Sequence, residues 1–186
     1  MLIGLLSDTH VDFPDERLPS HLKRPFSEAL PPQIRDTFRG VDLILHAGDI
    51  MIPSVLDELE SVAPVIATWG DGDLETDLGS DIRMMKGHTL LLDGVTLWLM
   101  HVKPRYALIN PKEESRSTKP SSEEPEDLPS VIIFGDSHKA TIEYYGKVLL
   151  VNPGSATLPR YKPQLGTVAL LTINSSKVEA RLVQLE

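Results

Sequence analysis

The sequence contains no cysteine, which excludes disulfide bonds and thiolate metal ligands. Any metal ion must therefore be held by oxygen and nitrogen donors. No apolar run reaches the roughly 18 residues that a membrane-spanning helix needs. The first ten residues, MLIGLLSDTH, lack a basic region and a small-residue cleavage site, so a buried first strand explains them better than a signal peptide does. These absences fit a cytoplasmic protein that does not associate with membranes.

Positive charge is also scarce, because 18 Lys and Arg stand against 27 Asp and Glu and give a net charge of −9. This balance disfavours non-specific binding to nucleic acid or to an anionic membrane surface. An enzyme of this charge that acts on anionic phosphate esters needs local cations to reverse the field at its site. The length of 186 residues predicts one domain over residues 1–186, and a homo-oligomer is compatible with the sequence.

Three short apolar runs end in polar clusters and predict buried parallel strands. They are Leu2–Leu6 before SDTH, Val41–Leu45 before HAGD, and Pro64–Thr68 before WGDGD. Helical segments are predicted between them, one around Ile34–Phe38 and one in PSVLDELESV, where Pro53 takes the first helical position. This β-α-β-α-β pattern predicts a parallel sheet with right-handed crossovers.

After about residue 83 the pattern changes to strands joined by tight turns. Asp93-Gly94 lies between two apolar runs, which is a strong hairpin signal. Further strands are predicted at Val131–Phe134, Thr141–Tyr145, Lys147–Val151, Gly166–Ile173 and Lys177–Gln184. A parallel N-terminal half and a meandering C-terminal half predict two sheets packed face to face, with helices outside.

Residues 110–129, NPKEESRSTKPSSEEPEDLP, contain almost nothing apolar and are rich in Ser, Pro and Glu. This composition predicts an exposed, flexible polar loop, with Lys112–Asp127 as the most mobile part of the chain. A solvated linker without a role and a lid over the functional site are both compatible with it.

Polar clusters follow the predicted strands, and the carboxyl ends of parallel strands open on one edge of a sheet. The clusters are Asp8-x-His10, Gly48-Asp49, Gly70-Asp71-Gly72-Asp73, His101 and Gly135-Asp136-Ser137-His138. Each alone is weak, because a buried histidine bonded to a carbonyl is commoner than a metal ligand. Together they predict a site for divalent ions such as Mn, Fe or Zn. Two ions about 3.5–4 Å apart can polarise a phosphoryl group and generate hydroxide.

The motifs SDTH, HAGDI, WGDGD, MH, GDSH and NPGS follow, in order, those of the calcineurin-like metallophosphoesterases. The chain resembles the branch of small bacterial and archaeal phosphodiesterases that also contains the retromer subunit of eukaryotes. The resemblance implies an α/β fold, a four-layer αββα sandwich of two mixed sheets flanked by helices. It also implies that Asp8, His10 and His138 bind one ion, that Asp49 bridges, and that Asp71, His101 and Asp136 bind a second.

The activity that the resemblance implies is hydrolysis of a phosphodiester, or less readily a monoester, by a hydroxide held between two divalent ions. Mn is the favoured ion, with Fe, Zn, Ni and Mg as alternatives. Asp49 and His101 are the predicted catalytic residues. Lys103 and Arg105 are the candidates for binding the phosphate ester, although two solvated surface residues explain them equally well.

Departures from the family pattern concern the second ion. The family commonly has Asn at Asp71 and His at Asp136, so this site would hold four carboxylates rather than two and be near neutral. The broader superfamily often has a proton-donating His at the position of Gly72. A helix that follows the MH motif in the family is missing or shortened, and the polar loop takes its place.

Two other interpretations differ in class from a phosphodiesterase. One is a catalytically weak scaffold that recruits a protein, as the retromer subunit does, but all seven ligand positions hold residues able to coordinate metal. The other is an aspartyl phosphatase, which would leave the histidines at the strand ends idle. His46 fits either a partner that orients a ligand or simple packing. Asn152-Pro153-Gly154-Ser155 fits a turn that also supports the metal edge.

Overall fold

The computed structural model describes residues 1–11, 30–75, 81–105, 128–159, 162, 164–174 and 177–186. The predicted loop at 110–129 lies outside the described residues apart from its last two, and so does Lys112–Asp127. The elements are β1 (Leu2–Leu6), α1 (Pro32–Thr37), β2 (Leu43–His46), α2 (Pro53–Glu60), β3 (Val65–Thr68), a 3₁₀ turn (Asp71–Glu75), β4 (Met84–Met85), β5 (His88–Leu92), β6 (Val95–Leu99), β7 (Val131–Ile133), β8 (Thr141–Tyr145), β9 (Val148–Asn152), β10 (Thr167–Asn174) and β11 (Lys177–Gln184). No described helix is long and apolar enough to cross a bilayer.

The first sheet has six strands in the order β11-β10-β1-β2-β3-β4. β1, β2 and β3 are parallel, with Ile3 opposite Leu43 and Ile44 opposite Val65, which confirms the predicted β-α-β-α-β unit. β10 pairs antiparallel with the other edge of β1, and β11 with β10. The predicted division into an N-terminal and a C-terminal sheet is therefore wrong for β10 and β11. Most of β10 is buried, as a strand inside a sheet requires, and β1 offers the free edge.

The second sheet has five strands in the order β5-β6-β7-β9-β8. β5 and β6 form the predicted hairpin, and its turn residues Asp93 and Gly94 have φ angles of 48° and 79°. Positive φ at both central residues is the conformation that the Asp-Gly pair favours. β6, β7 and β9 run parallel, so this sheet is mixed like the first. Two mixed sheets with few helices confirm the expected α/β sandwich class.

Three apolar clusters define the layers. Both described helices pack on one face of the first sheet, where Phe38 and Leu56 are fully buried. Leu5 of β1 lies between the sheets in a cluster that includes Ile133 of β7. The outer face of the second sheet carries a smaller cluster around Leu150. The described residues contain no helix on that face, and residues 106–127, between β6 and β7, are outside them.

The topology brings distant polar clusters to one edge of the sandwich. Asp8 follows β1, Asp49 follows β2 and Asp71 follows β3 in the parallel part of the first sheet. His101 follows β6 and Asp136 follows β7 in the parallel part of the second. A backbone bridge between Ser7 and Ser155 joins these loops to the segment after β9. The candidate site therefore lies where the carboxyl ends of the parallel strands of both sheets meet.

Candidate metal centre

Four predicted ligands converge at this edge. Each of Asp8, His10, Asp49 and His138 offers one ligand atom, and these atoms all lie within 4.8 Å of one another. His10 Nε2 and His138 Nε2 lie 3.0 Å apart. His10 Nε2 also lies 3.2 Å from Asp49 Oδ2. These are the residues that the family resemblance assigns to the first ion, together with the predicted bridge.

The backbone of the ligand loops is unusual. Among the described residues, the non-glycine positions with positive φ include five of the seven predicted ligands: Asp8, His10, Asp49, Asp136 and His138, with φ between 40° and 67°. A non-glycine residue in this region costs on the order of 1–3 kcal/mol and persists only where its surroundings enforce it. The strain is thus concentrated in the loops that present the candidate ligands, as functional sites commonly show.

Backbone carbonyls fix the tautomer of two histidines. His138 Nδ1 is 2.7 Å from the Leu158 carbonyl, and His101 Nδ1 is 2.7 Å from the Ala47 carbonyl. A carbonyl only accepts, so each Nδ1 carries a proton, and in the neutral ring Nε2 presents a lone pair. Metal-binding histidines are held in this way.

These lone pairs face carboxylate oxygens. His138 Nε2 lies 3.8 Å from Asp8 Oδ1, and His101 Nε2 lies 3.5 Å from Asp49 Oδ2. His138 Nε2 also lies 3.0 Å from His10 Nε2, which can donate to it. For a neutral His101, a lone pair opposite an anionic oxygen is repulsive unless a cation lies between them. The pairing of His101 with Asp49 therefore fits a bound cation.

The two buried carboxylates of the cluster differ in their proton affinity. Burial alone would raise the pKa of Asp49, but the hydrogen bond with His10 and the Gly72 N–H, 2.9 Å from Oδ1, hold it at about 2. Burial also favours neutral His10, yet the bond to Asp49 raises the pKa of this imidazole overall. Burial raises the pKa of Asp8, and its Oδ2 is buried without a hydrogen-bond partner. An unsatisfied buried carboxylate oxygen beside imidazoles is the donor set of a divalent metal ion.

The residues predicted for the second ion are less closely gathered. His101 is buried and reaches Asp49 Oδ2, whereas the side chains of Asp71 and Asp136 are exposed. The Asp136 backbone N–H donates to Asp8 Oδ1 at 3.1 Å, so this residue supports the first set through its main chain. Neither Asp71 nor Asp136 belongs to the four-residue cluster. Their assignment to a second ion stays a prediction.

The two predicted substrate-binding cations differ in their surroundings. The Lys103 ammonium pairs with the Glu143 carboxylate of β8 and lies 5.5 Å from the centre of the Phe134 ring. Arg105 is exposed at the border of the described residues. The charge of Lys103 is therefore partly neutralised by Glu143. The substrate-binding roles of Lys103 and Arg105 stay predictions.

Side chains after β9 hold the ligand loops in place. Ser155 Oγ donates to the Asp8 carbonyl at 2.6 Å, and Asn152 Nδ2 donates to the Gly135 carbonyl at 2.7 Å. Asn152–Ser155 therefore supports the loops that carry Asp8 and Gly135, and its role at a metal edge stays a prediction. Gly135 leaves no room for a side chain, because a Cβ there would lie 1.9 Å from Ser7 Oγ.

His46 connects two of the ligand loops. Its ring is fully buried, Nδ1 accepts the Gly48 N–H at 3.2 Å, and Nε2 therefore donates to Thr9 Oγ1 at 3.1 Å. Thr9 Oγ1 in turn donates to the Asp49 carbonyl at 3.3 Å. His46 therefore packs at the strand end and braces the loops of Asp49 and Thr9, and a role in orienting a ligand stays a prediction. The sequence gives no signal for Thr9.

The buried imidazole predicts a pH dependence of stability in metal-free protein. Burial lowers the pKa of His46 from 6.5 to about 3, so below pH 6.5 the unfolded chain binds a proton that the folded chain does not. Between pH 6 and 4 the free energy of unfolding should thus fall by about 1.4 kcal/mol per pH unit from this group. Urea unfolding of wild type and His46→Gln across this range measures the difference. Equal slopes in the two proteins would contradict it.

Comparison with known proteins points to one family. A family model described as the calcineurin-like phosphoesterase superfamily domain matches residues 1–176. A probable metallophosphoesterase of Methanothermobacter thermautotrophicus is 30% identical over 184 residues, which cover 99% of this chain and 92% of that protein. A phosphodiesterase of Methanocaldococcus jannaschii is 25% identical over 188 residues and is matched along 100% of both chains.

Solved structures share the fold at lower identity. An archaeal phosphodiesterase superposes with a TM-score of 0.62 at 22% identity, covering 98% of this chain and 100% of the other. Vps29 of Entamoeba histolytica, in complex with Zn²⁺, gives a TM-score of 0.66 at 20% identity, covering 100% of both chains. At these identities the superpositions establish the architecture alone.

Proposed function

This chain belongs to the calcineurin-like phosphoesterase superfamily, and we propose that it hydrolyses a phosphodiester, with a monoester as the poorer substrate, at a site for two divalent ions. Family membership implies a metal-dependent hydrolase acting on phosphate esters. The two-ion site and the diester preference are the finer proposal. Mn²⁺ is the ion that we propose, with Fe, Zn, Ni and Mg as alternatives, because carboxylate oxygens and imidazole nitrogens without a thiolate suit all of these ions.

One observation carries the proposal, namely that Asp49 Oδ2 faces two imidazoles. It lies 3.2 Å from His10 Nε2 and 3.5 Å from His101 Nε2. His10 belongs to the compact cluster and His101 does not, so the same oxygen borders the cluster and one further imidazole. A carboxylate in that position suits a ligand shared between two cations.

Divalent ions held by these residues would polarise a phosphoryl oxygen and acidify water. The chain's own contribution is to fix the donors. Carbonyls orient the His101 and His138 rings, and the Gly72 N–H orients Asp49. Gly72 has no side chain that could give a proton to a departing oxygen, so leaving groups that need little protonation should react fastest.

The second candidate function is a protein-binding scaffold on the same fold, favoured by the Vps29 structures among the neighbours. A scaffold has no need for the buried Asp8 Oδ2, which has no hydrogen-bond partner and is costly without a cation. We therefore place hydrolysis first.

Metal content and diester hydrolysis test the two proposals together. Protein purified without chelator and dialysed against Mn²⁺ should hold two ions per chain by elemental analysis. An activated aryl phosphodiester should be turned over faster than the matching monoester. A stoichiometry of zero at millimolar Mn²⁺ would refute the metal site, and two ions without turnover of either ester would favour the scaffold.

The exposed Asp136 predicts a change in phosphate affinity. Asp136→His raises the charge of the site by one unit, and at an effective dielectric constant of about 20 a unit charge at about 5 Å is worth about 3 kcal/mol. Relaxation and salt reduce this, so we expect inorganic phosphate to inhibit about tenfold more strongly. Inhibition constants are measured at constant ionic strength with metal occupancy verified.

Asp36→His is the matched control for this experiment, because Asp36 is equally exposed but lies on α1 and pairs with Arg39. It should leave phosphate inhibition unchanged. Equal constants for wild type and Asp136→His, with two ions in each, would show that Asp136 does not set the charge that phosphate meets.

A further inference from the structure

We propose that Asp73, a buried carboxylate outside the seven predicted metal ligands, is a positioning residue that fixes the orientation of Asp49. The inference rests on the proposed function only in treating Asp49 as a metal ligand. Asp73 lies in the 3₁₀ turn after β3, two residues beyond the predicted ligand Asp71, and is 1% exposed.

The Asp73 carboxylate accepts four backbone N–H groups. Oδ1 accepts those of Ile50 and Met51 at 2.7 and 2.8 Å. Oδ2 accepts those of Asp49 and Gly70 at 2.9 and 2.8 Å. Two bonds to each oxygen compensate the loss of water around a buried anion. They also occupy both oxygens, so Asp73 acts through other groups.

The four N–H donors belong to two segments, residues 49–51 after β2 and Gly70 after β3. Asp49 and Met51 have φ angles of 58° and 80°, a geometry that ordinary residues avoid. In this turn the N–H groups of residues 49, 50 and 51 all point at one carboxylate, which is a concave anion-binding arrangement of the backbone. The side chain of Asp73 supplies the anion from within the chain and holds the turn in this conformation.

The same contact sets the direction of the Asp49 carboxylate. Asp73 Oδ2 accepts both the Gly70 N–H and the Asp49 N–H, which holds these two segments together. Two residues after Gly70, the Gly72 N–H donates to Asp49 Oδ1 at 2.9 Å. Oδ1 is thereby held on the side of β3, and Oδ2 is left facing His10. Gly70 permits this approach, because a Cβ there would lie 2.1 Å from Asp49 Oδ1.

The test is Mn²⁺ affinity of Asp73→Asn, measured by calorimetry on metal-free protein. The amide group of asparagine has the same shape, but its NH₂ cannot accept the two N–H groups that one carboxylate oxygen accepted. We expect Mn²⁺ binding to weaken about 10–100-fold, as for other partners that orient metal ligands. The Mn²⁺ concentration for half-maximal hydrolysis should rise by the same factor, with turnover at saturating Mn²⁺ largely retained.

A matched control separates positioning from general destabilisation. Leu59→Ala removes a buried side chain of α2 in the helix–sheet cluster and should lower the urea midpoint without changing Mn²⁺ affinity. If Asp73→Asn is destabilised but binds Mn²⁺ like wild type, Asp73 is structural only and the proposal is wrong.

A second measurement decides the case if Asp73→Asn does not fold. In metal-free wild type, the amide hydrogens of Asp49, Ile50, Met51 and Gly70 should exchange slowly and as a group. Fast exchange of these four amides beside protected strand amides would overturn the proposal. This result does not depend on metal binding, so it stays informative even if wild type binds no Mn²⁺ and the proposed function fails.

Discussion

Replacing Asp49 with alanine should abolish phosphodiester hydrolysis almost completely. Asp49 Oδ2 is within 3.5 Å of both His10 Nε2 and His101 Nε2, so its loss disturbs the cluster and the imidazole beside it at once. Removing one preorganised electrostatic contact typically lowers turnover about 10²–10³-fold, and we expect at least the upper value here. The measurement is turnover of an activated aryl diester at saturating Mn²⁺, with bound metal quantified in the same samples.

Two controls accompany the Asp49 variant. Asp36→Ala removes an exposed carboxylate on α1 and should leave turnover unchanged. Chelator added to wild type should reproduce the loss, and Mn²⁺ should reverse it. An Asp49→Ala protein that holds its metal and keeps a tenth of the wild-type rate would rule out a shared ligand at this position.

Gly72 predicts the second large effect, a steep dependence of the rate on the leaving group. A Cβ at Gly72 would lie 2.8 Å from Met51 Sδ, the end of a flexible side chain, and 3.4 Å from Asp49 Oδ1. The double variant Gly72→His/Met51→Ala therefore makes room for an imidazole beside the cluster. General acid catalysis contributes about 10²–10⁴-fold, and we expect about 10²-fold for diesters with poor leaving groups and little change for nitrophenyl esters.

Gly72→Phe/Met51→Ala is the matched control, because its ring fills similar space without a proton to donate. Rates across a series of substituted phenyl diesters compare the slopes of wild type and both variants. Wild-type rates that do not vary with the pKa of the leaving group would contradict the account of Gly72. A gain in the Phe variant equal to that in the His variant would attribute the effect to packing.

Local signals predicted the parts of the fold that depend on neighbours in sequence. Pro53 begins α2 and Asp93-Gly94 turns the β5–β6 hairpin, as predicted, because both features act through their own backbone dihedral angles. β4 was missed, since Met84–Met85 is too short to show a period. The place of β10 beside β1 was also missed, because strand pairing over that separation leaves no mark in either segment.

The candidate site also contains residues that local sequence signals predict and residues whose place depends on tertiary contacts. Strand-end motifs identified Asp8, Asp49 and His138, since each directly follows an apolar run or its turn. They could not show that Asp73 is buried while Asp71, two residues earlier, is exposed. That difference follows from the way the 3₁₀ turn is placed against the segment after β2, which is tertiary information.

Because β1 lies inside the first sheet, that sheet can be completed only late in synthesis on the ribosome. β1 is made before the other described elements, but its second edge is covered only by β10, more than 160 residues later. Until β10 is made, the apolar strand β1 has one edge whose N–H and carbonyl groups are unpaired. Such an edge can pair with a strand of another chain. All seven candidate ligands leave the ribosome before β10, so nascent chains in a metal-rich cell carry the coordinating side chains before the sheet that aligns them is finished.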